Sequence, residues 1–79
     1  MGKMTKVEKL TRRFSHALVK LDEWEIFGVL RILDIKIEED EDFLSVFYRA
    51  QEKFKRLGRV QRLNLLNIVE SAAEGRDFK

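Results

Sequence analysis

The chain of 79 residues has no cysteine and no proline, one histidine and four glycines. Each shortage excludes something. Without cysteine there is no disulfide, and a single histidine cannot make up a structural zinc set. Nucleophile–base pairs and Gly-rich phosphate loops are missing as well, so the chain reads as non-enzymatic, with no cofactor and no metal expected. The absence of proline leaves few forced breaks and favours helices. The longest apolar run falls far short of the roughly 20 residues of a membrane span. The opening MGKMTKVEKL is basic but is not followed by the apolar stretch of a signal peptide. A lack of cysteine suits a reducing compartment, and a cytoplasmic location is the expectation.

What is present is a chain 44% hydrophobic and 38% charged, too apolar for a disordered segment. One helical domain over 1–79 is expected, with 1–4 and 76–79 frayed. A domain this small buries only about 60–65% of its unfolded surface. Its stability must therefore come from well-packed helices or from association.

The net charge is only +2, but it is unevenly laid out. Residues 1–20 hold six Lys/Arg against one acid, residues 21–47 two against nine, and residues 48–79 eight against four. Basic ends and an acidic middle either neutralise one another within the fold or mark separate docking surfaces.

Four helices are predicted. Thr5 and Glu8 have capping-box spacing, and Val7, Leu10, Phe14, Ala17, Leu18 and Leu21 then share one face. Asp22 with Glu25 repeats the device and opens a second helix, about Glu23 to Leu33, with Leu21 and Ile26 as a hydrophobic staple. Ile35 and Ile37 are expected to tuck in as an extended connector, with no partner strand in sight. The acidic run 38–42 reads as a water-facing helix start capped by Asp40 or Asp42; a calcium loop would need alternating ligands and a bending Gly. The third helix offers Phe43, Val46, Phe47, Ala50, Phe54 and Leu57 to the core. Gly58 is placed to end it in the left-handed conformation, a continuous bent helix being the alternative. The fourth helix, about Val60 to Ala73, offers Leu65, Leu66, Ile68, Val69, Ala72 and Ala73, and Gly75 is read as its stop.

Helix two raises the functional question, because it is apolar nearly all round. Ile26, Phe27, Val29, Leu30 and Leu33 make one face; Trp24, Gly28 and Ile32 make another. Such a helix is normally central and buried. The fold class expected is thus a compact all-α bundle of four short helices with the second most buried, Trp24 shielded and Gly28 closely packed. The other reading is that a partner, most simply a second copy in a homodimer, covers the Trp24, Gly28, Ile32 stripe. Leu44 and Tyr48, off the core face of helix three, either join such an interface or cover the connector.

The basic residues form two groups. Lys9, Arg12, Arg13 and Lys20 lie with His16 on the outer face of helix one, where like charges at helical spacing repel. Lys53, Lys55, Arg56, Arg59 and Arg62 surround Gly58. Both are candidate nucleic-acid contacts or solvated faces. The junction does not match a helix-turn-helix, because Phe54 stands where that motif needs a small residue, and no aromatic stacking platform accompanies it. His16 sits among cations with no carboxylate to orient it, so it is no general base. Two functions are therefore carried: a small regulatory or protein-interaction module using exposed helix faces, and a small nucleic-acid-binding protein using the basic residues. A membrane-surface role for helix one is weaker, since its apolar face is needed for the core.

Overall fold

The computed structural model describes residues 4–77, and these form four helices and no strand. Residues 1–3, 78 and 79, all expected to fray, lie outside the described residues. Helix α1 spans Lys6–Leu18, α2 Glu23–Ile32, α3 Phe43–Arg56 and α4 Arg59–Asp77. Three helix starts are where the sequence puts them. Thr5 and Asp22 each accept from the third helical N–H while Glu8 and Glu25 reach back to the cap N–H. Asp42, not Asp40, caps α3 by accepting from the Ser45 N–H at 2.8 Å. Each cap satisfies donors that the helix cannot satisfy itself.

The core gathers around Phe14 and Phe54, which stack with centroids 4.4 Å apart and planes 11° from parallel. Both are completely buried, so the pair joins α1 to α3 at the driest point of the protein. Ala17 and Leu18 continue the buried face of α1, and Leu65, Leu66, Val69 and Ala73 bring in α4. Helix α1 packs between α3 and α4 and is the central helix. Thr11 is also buried on it, unforeseen, because its hydroxyl returns 2.7 Å to the Val7 carbonyl and needs no other partner.

This arrangement corrects the expectation for α2. Ile26, Val29, Leu30 and the following Leu33 are buried, but the other face is open to solvent. Trp24 is 80% exposed and Ile32 59%, and a Cβ on Gly28 would meet nothing within 4 Å. The second helix is not enclosed on both sides because α1, with apolar side chains for two neighbours, takes the central place. Phe43 and Ile68, expected in the core, are also exposed. Phe43 points coreward by periodicity but stands on the first turn of α3, beyond the reach of the covering helices. Ile68 lies at the margin of the α4 apolar face.

The connector is half as expected: Ile35 is buried and Ile37 exposed. Its start is a helix ending that the sequence reading missed. Asp34 takes φ 58°, the Asp34 N–H donates to Arg31 O at 3.1 Å, and the Ile35 N–H donates to Leu30 O at 2.9 Å. These are the two bonds of a Schellman ending, with buried Ile35 and Leu30 as its apolar pair. Glycine usually holds the left-handed position; aspartate is one of the few other residues that tolerate it.

The α3–α4 break does fall at Gly58, but for a different reason. No glycine among the described residues has positive φ; the chain turns because Leu57 is extended, at φ −67° and ψ 153°. The Gly58 carbonyl then accepts the first helical bond of α4, from the Arg62 N–H at 2.8 Å. Gly75 does not stop α4, which continues to Asp77, residues 76 and 77 included.

Asp34 generates a test. Asp34→Gly should raise stability by about 0.5–1 kcal/mol, and Asp34→Val should lower it by about 1–2 kcal/mol, measured by urea denaturation. Equal losses in both variants would mean that the aspartate side chain, not the backbone conformation, matters there.

Candidate functional site

The Ile26, Phe27 and Leu30 side of α2 faces the start of α3 across an apolar groove of about 540 Å³. Its floor is Leu21, Ile26, Leu30 and Val46, all of them core residues. Its lips are Phe27 on α2, Ile37 on the connector and Phe43 on α3, all exposed. Trp24 meets Phe27 edge to face, with centroids 6.3 Å apart at 83°. Phe43 in turn packs on Phe47 at 4.8 Å. Aromatic rings thus run along both walls, joined to the core below.

The groove has an acidic border. Glu23 and Glu41 line it, and Glu38, Glu39 and Asp40 make the turn between the lining residues Ile37 and Glu41. That turn is fixed by backbone and side-chain bonds: the Glu41 N–H donates to Glu38 O, and the Glu38 N–H donates to the Glu41 carboxylate. The Arg49 guanidinium donates to the same carboxylate at 2.6 Å and to Lys36 O at 3.0 Å. Arg49 thereby clamps the connector onto α3, and its hydrogen bond holds the Glu41 carboxyl below its usual range. The Ser45 N–H does the same for Asp42.

The expected interface residues are all exposed, but the structure divides them. Trp24 packs on the groove lip Phe27 without lining the groove itself; Gly28 and Ile32 continue its stripe along the outer side of α2. Leu44 and Tyr48, 77% and 65% exposed, border a separate shallow hollow with Asp42, Ser45 and Arg49. Glu41 lines both depressions. Sequence reasoning missed the lips Phe27, Ile37 and Phe43, having assigned all three to the core. The available signal was position: Phe43 opens its helix and Ile37 is followed at once by five acids.

The basic residues are less uniform than their spacing suggests. Lys9, Arg12, Lys20, Lys53, Arg56 and Arg59 are exposed. Arg13 makes a two-pronged pair with Glu70 on α4, at 2.7 and 3.0 Å, which keeps the guanidinium charged and ties α1 to α4. Lys55 reaches Glu52 at 3.3 Å. Arg62 is half-buried and turned back on the fold: its Nη1 donates to the carbonyls of Lys55 and Leu57, capping α3 from the helix that follows. His16 is exposed beside Arg12 in a shallow hollow between α1 and α3. Among the described residues no helix is long and apolar enough to cross a membrane, and no three His, Cys, Asp or Glu are grouped to hold a metal ion.

The carboxyls predict the response to acid. Glu8, Glu41 and Asp42 are held below their ordinary values by hydrogen bonds that exist only in the folded chain, the first by the Thr5 N–H. Their contribution is complete above the unfolded values, 4.5 for Glu and 3.8 for Asp, and is lost as pH falls through the lower folded values. The melting temperature should therefore drop below about pH 4.5, and less steeply in Glu41→Gln. Parallel pH profiles for the two proteins would mean that the Arg49 clamp adds nothing to stability. No family model, no curated protein and no solved structure matches this chain.

Proposed function

We propose that this chain is a non-enzymatic protein-interaction module whose partner docks on the groove between α2 and α3. One observation carries the reading: Trp24, the only tryptophan, is 80% exposed and packs on Phe27, a lip of a groove that opens onto the core. Single exposed apolar residues are ordinary, but contiguous apolar surface is costly in water and marks interaction sites. Tryptophan and tyrosine are prominent among residues that anchor interfaces, because they bury a large area with little loss of side-chain freedom. Trp24 gains nearly all its burial only when something covers it.

Selection of helical peptides against the wild-type chain, with counter-selection on Phe27→Ser, tests this reading. Binders should quench or shift Trp24 emission and should lose about tenfold or more in affinity on Trp24→Ala, since an anchor aromatic is worth 2 kcal/mol or more. The same substitution should change stability by no more than about 0.5 kcal/mol, because the indole is mostly in water. Failure to enrich any groove-dependent binder would remove the proposal.

A second reading, nucleic-acid contact, is favoured by the charge layout in space. The acidic turn lies at the start of α3, whereas Lys53, Lys55, Arg56 and Arg59 cluster at its end, roughly 20 Å away at the helical rise. A duplex at the basic end would thus avoid the acids. On this reading the chain is retained on DNA at low salt, elutes steeply as salt rises, and elutes earlier with Arg56→Gln and Arg59→Gln. Passage straight through at low salt would rule it out.

A further inference from the structure

Resting on the docking reading above, we infer that the occupant of the α2–α3 groove is an amphipathic helix of another protein with a cationic polar face. Three observations lead there. The first is the shape of the recognition surface. The described residues contain no strand, so there is no sheet edge to which an extended peptide could add. An open groove between two helices instead accepts the apolar stripe of a third helix, whose side chains repeat at three and four residues.

The second is charge. Every residue lining the groove falls within residues 21–47, the segment with nine acids and two bases. Glu23 stands on the α2 side and Glu38, Glu39 and Asp40 on the connector side. A helix lying between these walls inserts its apolar face and brings the flanks of its polar face against both. Lysines or arginines there find carboxylates; glutamates and phosphates meet repulsion. The same field disfavours a nucleic acid or an anionic membrane at this groove.

The third is that Arg49, beside the acidic turn, is already used: it donates to Glu41 and to the Lys36 carbonyl, while the Lys53, Lys55, Arg56 and Arg59 cluster lies a helix length away. Glu38, Glu39 and Asp40 stand exposed between Ile37 and Glu41, both of which line the groove.

The test uses the intact chain and three helical peptides with one shared Leu/Phe face and a polar face of lysine, glutamate or glutamine. Calorimetry and Trp24 emission follow binding at low and high salt. The lysine peptide should bind about tenfold more tightly than the glutamate peptide at low salt, and that preference should shrink to about twofold at high salt. Glu23→Gln combined with Glu39→Gln should cut the preference about threefold, with circular dichroism and melting temperature reporting that the chain is still folded. If lysine and glutamate peptides bind alike, the charge rule is overturned and the docking reading stands. If none of the three binds and Trp24 emission is unmoved, the docking reading fails and takes this inference with it. If sedimentation shows the chain pairing with itself, and Phe27→Ser abolishes the pairing, a second copy is the occupant and the inference is overturned.

Discussion

The stacked pair Phe14–Phe54 decides how the other helices are placed. Two rings in face contact with no access to water contribute their own burial and an additional ring–ring attraction of about 0.5–1.5 kcal/mol. In a protein of this length, whose whole stability is on the order of 4–12 kcal/mol, that is a large share. The pair commits α1 to α3. Ala17, small and buried on the same helix, then leaves room for α4 on the other side. With α1 occupied on two sides, α2 is left to close one end of the bundle with a single face. The groove and the uncovered Trp24 stripe beside it follow from that packing: among the described residues there is no fifth element to lay over them.

Much of the local architecture was legible in the amino-acid order because it depends on contacts between near neighbours. Thr5–Glu8, Asp22–Glu25 and the Asp42 cap each act over three residues, and each was readable at that range. The apolar face of α1 was equally clear. What could not be read was which apolar faces would meet. Periodicity assigns Phe43 and Ile68 to inward faces without saying whether another helix reaches that far along. It also makes α2 look central, since a helix apolar on two sides has the same pattern whether neighbours or solvent stand beyond the second one. The open stripe and the exposed lips of the groove are thus tertiary facts. The interface alternative for Trp24, Gly28 and Ile32 anticipated the open stripe but not the lips, and the fold separates those residues from Leu44 and Tyr48.

Glycine proved a poor guide to helix endings here. Gly58 marks a boundary made by the extended Leu57, and Gly75 marks none. Among the described residues the one in the left-handed conformation is Asp34, whose short side chain gave no warning in the sequence. Arg62 was counted with its basic neighbours as a surface charge. Its use as a cap on the preceding helix depends on the turn at Leu57 and Gly58, which spacing alone does not disclose.

The single-sided seating of α2 has a dynamic consequence. A segment opens locally at a cost set by the contacts it gives up, and α1 gives up its packing on both α3 and α4, whereas neither of those helices packs so extensively on α2. Its amides should exchange with solvent deuterium sooner than those of α1, ahead of any global unfolding. The helix that presents the indole is then also the first to breathe, and anything that clasps it slows that breathing.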